Sequence, residues 1–343
     1  MRSKIALRTT IVVLALVIIL SFIKLPYYVT KPGMAFELGP IIEVETGYQE
    51  VGSFSLTTVR IGRANPITYL WALLKEYHYI LPITEMKNKN ETDDDYYKRQ
   101  LTSMENSKES AISIAYKKAN KKISALFNGI YVNAISENMP ADGKLKVGDR
   151  IIKIDNFEFQ SVEEFMQYIE NKELGNEVEI HYEREGKQKQ VTLKLAAFPN
   201  DPSKIGIGIS LLPDKELLVK PDIKINTEEI GGPSAGLMMA LEIYNQLIKE
   251  DITKGYKIAG TGTISADGKI GPIGGISQKI VAADKEGIEI FFAPHEESNS
   301  SSNYQEAIKV AKKINTKMKV VPVSSFDDAV KYLTSLQQKK NAK

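Results

Sequence analysis

The amino-acid sequence predicts an α+β chain of several domains set behind one apolar N-terminal helix. Three features carry that expectation. A basic segment leads into an uncharged apolar run, the middle third alternates apolar and polar residues between glycine turns, and the last third places glycine turns directly before helical apolar stretches. A length of 343 residues allows roughly two domains with extensions. At 43% hydrophobic and 26% charged, the chain can bury real cores. A net charge of +2, with no basic stripe carrying interleaved aromatics, argues against nucleic-acid binding. The absence of cysteine rules out disulfides, thiolate catalysis and cysteine-bound zinc. His78, His181 and His295 are not at metal-ligand spacing, so neither a metal nor a cofactor is expected.

At the N-terminus, Arg2, Lys4 and Arg8 precede the apolar run 9–23, which stops at Lys24. The run is short against the roughly 20 residues that span a bilayer core. Snorkelling by Arg8 and Lys24, with Leu25, Tyr27 and Tyr28 at an aromatic interface, extends it. A cleaved signal peptide is the rival reading, but no small-x-small site follows Ile23. Residues 1–28 are therefore expected to form a cytoplasmic N-terminus and transmembrane anchor in the cell membrane, with the remainder extracytoplasmic.

Residues 29–105 are assigned to an N-terminal extracytoplasmic region with strands near 41–44 and 54–59 and a short helix over 67–80. The polar stretch 87–95 reads as a loop, and Asn90-Glu91-Thr92 formally matches a glycosylation acceptor. A helix over 96–122 leads into a β-rich module. In that module, strands are expected at 130–135 and 150–155 and a helix from Ser161-Val162-Glu163-Glu164, read as a capping box. A hairpin joins 178–182 to 191–195 through Gly186. The pattern Leu145-x-x-Gly148-Asp149-x-Ile151-x-x-Ile154 and the helix after it resemble a PDZ domain of the bacterial protease-associated kind, placed at 106–200 with its leading helix. That resemblance implies peptide binding by strand addition, with Phe127, Asn128, Gly129 and Ile130 as the carboxylate-binding loop. The other reading is a PDZ fold used only as a spacer.

The last third carries the chemistry. Gly231-Gly232-Pro233-Ser234-Ala235-Gly236 runs into Leu237-Met238-Met239-Ala240-Leu241. Pro233 suits a first helical turn, so Ser234 sits at a helix N-terminus beside free backbone N–H groups and the positive dipole end. The N–H groups of Gly232, Ser234 and Ala235 are candidate oxyanion donors. A serine nucleophile needs a base, and no histidine is placed to serve. Gly271-Pro272-Ile273-Gly274-Gly275 opens a second helix, on which Ile276, Ile280 and Ala283 share a face and Lys279 lies at its edge. A desolvated lysine loses its charge more easily and can then accept a proton from a hydroxyl. Taken singly, the serine motif is equally a glycine turn or a phosphate cradle, and Lys279 equally a snorkelling lysine.

Together, Pro233-Ser234-Ala235-Gly236, Thr261-Gly262-Thr263-Ile264, Pro272-Ile273-Gly274-Gly275 and Lys279-x-x-Ala282-Ala283 resemble the proteolytic domain of Lon over 201–340. The resemblance implies a catalytic Ser234 nucleophile, Lys279 base and Thr261 as the residue orienting the lysine. It also makes a homo-oligomer plausible. The whole order of anchor, PDZ and Lon-like domain resembles the YlbL-type proteases of Gram-positive bacteria. Two departures stand out. Gly231 occupies the place of an acidic residue, with Glu228 and Glu229 a little upstream, and no nucleotide-binding module is present. The stretch 262–270 has the wrong spacing for a phosphate loop. The expected function is thus an ATP-independent serine endopeptidase acting on exported or membrane-proximal polypeptides. The alternative is an inactive PDZ adaptor or chaperone at the membrane surface.

Overall fold

The computed structural model describes residues 2–87, 91–227, 230–296 and 302–340. Asn90, Glu228 and Glu229, named above, lie outside the described residues. The chain divides into two compact units, one made of Met1–Lys122 with Val219–Lys343 and the other of Ile123–Leu218. The β-rich module is therefore an insertion within a larger α+β unit.

The larger unit is built on a six-stranded mixed sheet. Its order is Lys319–Val323, Ile290–Pro294, Lys257–Gly260, Ser53–Arg63, Tyr27–Glu37 and Tyr79–Pro82. The first four run parallel, and the last two are added antiparallel. Ile290–Pro294 is buried at every position, as a central parallel strand covered on both faces should be. Helices Gly236–Leu247, Ile276–Lys285, Asn303–Lys313 and Phe326–Thr334 supply those covers.

This corrects the separate region expected at 29–105. Half of the sheet comes from residues 27–82, and Ser53–Arg63 pairs directly with Lys257–Gly260. The helix expected at 96–122 spans Asp93–Lys118 and packs on Gly236–Leu247 within the larger unit. Local sequence patterns mark these elements, but pairing across some 200 positions leaves no local trace. The helix expected over 67–80 stops at Leu74, because Tyr79–Pro82 leaves to pair with Tyr27–Thr30 as an edge strand.

The smaller unit is a five-stranded sheet ordered Ile209–Lys220, Lys122–Ile135, Arg150–Ile154, Glu177–Arg184 and Lys187–Lys194, closed by helix Val162–Glu170. The hairpin turn Glu185-Gly186 has positive φ at both residues, which matches strand twist in a two-residue loop. Asp149 is buried, takes a forked pair of bonds from Arg184 at 2.6 and 2.7 Å, and caps Lys146 N–H at 2.8 Å. Ser161 caps the helix by accepting from Glu164 N–H, but the Glu164 carboxylate reaches Gln160 N–H at 2.7 Å, so the expected reciprocal box is not closed.

Helix Arg2–Phe22 forms at the N-terminus. Among the described residues, no helix is long and apolar enough to cross a membrane.

One feature of the larger core works against its stability. Glu242, on the helix that follows Ser234, is buried beside Glu50 and near Asp251. Desolvation raises both glutamates above the ordinary carboxylate range, and neighbouring negative charge adds to it. A raised carboxyl is fully compatible with the fold below its unfolded pKa, and that stability is lost as pH climbs through the folded value. Glu242→Gln should therefore raise Tm at pH 8 by about 2–4 °C and leave it nearly unchanged at pH 4, read by thermal melts at both pH values.

Candidate active site

Ser234 sits in a 3-10 turn, Pro233–Ala235, that opens helix Gly236–Leu247. The turn is entered through Gly232 at φ 90°, a conformation that favours glycine. Helix Asp93–Lys118 clamps this entry. Gln100 C=O accepts from Gly232 N–H at 2.8 Å, and buried Ser107 Oγ donates to Pro233 C=O at 3.0 Å. Gly232 is thereby corrected as an oxyanion candidate, since its N–H is already spent. Among the described residues, the N–H groups of Ser234 and Ala235 have no turn, loop or cap acceptor, which is the usual state of a first helical turn.

Lys279 stands in the second turn of helix Ile276–Lys285, which begins at Gly275 in the left-handed conformation. A Cβ at Gly275 would come within 2.8 Å of Val59 Cγ2, so the helix start presses on strand Ser53–Arg63. Asn303 holds the preceding turn by accepting from Ile273 N–H at 2.8 Å and donating to Ile273 C=O at 2.9 Å. Gln278 donates to Thr30 Oγ1 at 2.9 Å and to Tyr77 C=O at 3.0 Å, tying the helix to the N-terminal strands. Ile276, Ile280 and Ala283 are buried on the expected face, and Lys285 is exposed.

These supports bring the two functional groups together. Lys279 Nζ lies 2.6 Å from Ser234 Oγ and 2.8 Å from Thr261 Oγ1. Thr261 Oγ1 donates its own hydrogen to Ser234 C=O at 3.0 Å, and Gly262 N–H donates to the same oxygen at 2.9 Å. The threonine hydrogen is thus committed, so toward Lys279 its oxygen acts as acceptor. An amine N–H directed at Thr261 leaves the nitrogen lone pair free to face Ser234. Lys279 is 3% exposed, and burial alone lowers its pKa from 10.5 to about 7. An uncharged amine poised on a hydroxyl at a helix N-terminus is an arrangement that can ionise the hydroxyl as it attacks a carbonyl.

The pair opens onto a cavity of about 840 Å³. One wall is the strand stretch 57–61, beyond the part of that strand paired with Lys257–Gly260, and Met104, Ile230 and Pro272 form others. Gln100, Ser107, Thr30, Gln278 and Asn303 had no role in the sequence reading. Each acts across a long sequence separation, and none lies in a motif.

The proposed carboxylate loop of the smaller unit needs a different correction. Phe127, Asn128, Gly129 and Ile130 lie inside strand Lys122–Ile135, with Ile130 paired to Ile151. A Cβ at Gly129 would come within 2.4 Å of Ile151 C=O, so that glycine serves strand packing. The groove lies elsewhere. Helix residues Val162, Phe165, Met166 and Ile169 face Ile207 and Leu211 across a cavity of about 370 Å³. Strand Ile209–Lys220 is at the edge of its sheet, and Ile205-Gly206-Ile207-Gly208-Ile209 leads into it with Gly208 at φ 80°. That glycine–apolar alternation was the signal in the sequence.

Fold and site together define a two-unit chain, an apolar peptide-sized groove in one unit and a buried serine–lysine pair in the other. Residues 88–195 match the family model of the PDZ domain, and 216–335 that of the Lon protease (S16) C-terminal proteolytic domain. The chain thus carries a PDZ domain and a Lon-type C-terminal proteolytic domain. A Lon protease of Trichlorobacter lovleyi is 36% identical over 100 residues, 29% of this chain and 11% of that protein. A Lon protease of Metamycoplasma arthritidis is 34% identical over 108 residues, 32% of this chain and 12% of that protein. The match therefore spans a small part of either relative. Among solved structures, the PDZ domain of an SdrC-like protein from Listeria monocytogenes is 37% identical. It covers 25% of this chain and 88% of that chain at a TM-score of 0.23.

Burying an ionisable amine for chemistry carries a cost in stability. The lysine pKa is depressed, so the fold is penalised where the amine is charged, and the penalty is relieved as pH rises from about 7 toward 10.5. Lys279→Met should stabilise by about 2 kcal/mol at pH 6, a rise in Tm of roughly 4–8 °C. The gain should shrink in melts at pH 9.5.

Proposed function

We propose that this chain is a serine endopeptidase in which Ser234 attacks a peptide carbonyl and Lys279 is the base. The observation that carries the reading is the 2.6 Å approach of a buried, partly neutral amine to the serine hydroxyl. In the first half-reaction, the Ser234 Oγ–C bond forms as its proton passes to Lys279 Nζ. The tetrahedral oxyanion accepts from Ser234 and Ala235 N–H. Lys279 returns the proton to the leaving amine as the C–N bond breaks, giving an acyl-enzyme. Water then attacks the ester with the same lysine taking its proton, and the carboxylate product leaves with Ser234 restored. Thr261 keeps the amine lone pair aimed at Ser234. No step calls for nucleotide, and the sequence holds no phosphate loop.

The PDZ groove selects or gates substrate by accepting an extended segment as an added strand beside Ile209–Lys220. The edge position of that strand and its apolar facing helix support this. Helix Arg2–Phe22 attaches the chain to the cell membrane through its apolar surface, so that substrates are membrane-proximal polypeptides. The support is its outer surface, since Leu7, Ile11, Leu14, Ile18 and Phe22 are all exposed.

Ser234→Ala should abolish cleavage of unfolded casein while leaving the thermal melt unchanged; residual turnover sensitive to a serine-reactive phosphonate would count against the assignment. Lys279→Arg should lose roughly 10⁴-fold in kcat/KM, because a guanidinium does not deprotonate near neutrality. In the parent enzyme kcat/KM should climb about tenfold per pH unit below pH 7 and level off above it, as the amine becomes free to accept a proton. A profile flat between pH 5 and 9 would remove Lys279 as the base.

A further inference from the structure

Helix Pro66–Leu74 reads Pro-Ile-Thr-Tyr-Leu-Trp-Ala-Leu-Leu, holds no charged residue and buries only Ala72. It is a well-made helix, opened by a reciprocal Asn65–Thr68 capping box and by Pro66 in its first turn. At about 100° per residue, Ile67, Leu70, Trp71 and Leu74 form one stripe and Ala72 lies opposite. The stripe faces outward, with Leu70 61%, Trp71 55% and Leu74 79% exposed. On the inner side Ala72 packs with Val29 and Ala64, and Tyr69 meets the Tyr27 ring at 5.3 Å. A water-facing helix has the reverse polarity.

The surroundings say what covers the stripe. Helix Arg2–Phe22 ends at the same place: Asn65 Nδ2 donates to Ser21 C=O at 3.3 Å, and Leu25 N–H donates to Ala64 C=O at 2.8 Å. Its last turns expose Ile18, Ile19 and Phe22, followed by Ile23, and the two helices, each with exposed apolar residues, pack against each other. At their rim, Lys75 Nζ lies over the Trp71 ring at 4.8 Å and the Lys24 side chain is 72% exposed. A tryptophan and lysines bordering an apolar surface suit the headgroup layer of a bilayer. A second copy of the chain would have to cover both helices at once, whereas one lipid phase covers both.

We propose that helix Pro66–Leu74 lies in the interfacial layer of a lipid bilayer as a second membrane contact beside the N-terminal helix. The inference rests on the membrane-anchor reading. It has a functional consequence. Strand Tyr79–Pro82, which follows directly, contributes Tyr79 and Leu81 to the wall of the active-site cavity. The contact would hold that cavity close to the membrane surface and bias the enzyme toward substrates lying there.

Trp71 is the only tryptophan in the chain, so its emission reports this helix alone. Full-length protein reconstituted into phosphatidylcholine–phosphatidylglycerol vesicles should show blue-shifted Trp71 emission. Lipid brominated near the headgroup should quench the greater part of it, and lipid brominated near the chain ends much less. The double variant L70E/L74E should still float with the vesicles and keep its Tm, but shift Trp71 back toward its emission in water. Flotation with Trp71 still at water-like emission and unquenched by either lipid overturns the inference and leaves the anchor standing. Failure to float removes both. Trp71 shielding that appears without lipid and grows with protein concentration assigns the stripe to a second copy and overturns the bilayer.

Discussion

The short contact between Lys279 Nζ and Ser234 Oγ depends on taking a primary amine out of water. A charged ammonium would not remain buried without a counter-charge, and burial is what brings the Lys279 pKa to about 7. The surrounding fold supplies the conditions for that burial. One helix fixes the lysine, a second helix start fixes the serine, and Thr261 bridges them by committing its hydrogen to the serine carbonyl. A loose site would admit water and restore the charge.

The rigidity comes in good part from the N-terminal third. Strands Tyr27–Glu37 and Ser53–Arg63 extend the sheet under the lysine helix, and Gln278 binds Thr30 across 248 positions. Helix Asp93–Lys118 holds both sides of the turn before Ser234 through Gln100 and Ser107. The region matched to Lon begins at residue 216, so these supports lie outside it. The PDZ module enters between the supporting helix and the serine-bearing part, at Ile123, and returns at Leu218. A domain inserted in that way has both ends fixed to the unit that carries the chemistry.

The fold also distributes risk. The serine helix carries Glu242 beside Glu50 in an environment that raises both carboxyls, and the lysine helix carries an amine that burial penalises. Only the second group lies at the candidate site, against Ser234. Neither Glu50 nor Glu242 is among the residues that line the cavity at Ser234.

The sequence by itself determined the elements whose cause is local. Proline and glycine before Ser234, the apolar face of helix Ile276–Lys285, the Gly148-Asp149 turn and the Gly186 hairpin are all set by backbone preference and short periodicity. The approach of Ser234 and Lys279 was suggested by motif order, but its distance and the desolvation of the amine are properties of packing. Only the tertiary structure decided that residues 27–118 complete the unit that holds Ser234 and Lys279, and that Gly232 N–H is spent on Gln100. Strand pairing, hydrogen-bond competition and desolvation are fixed by partners distant in the chain, and a linear pattern of residue types carries no record of which partner wins.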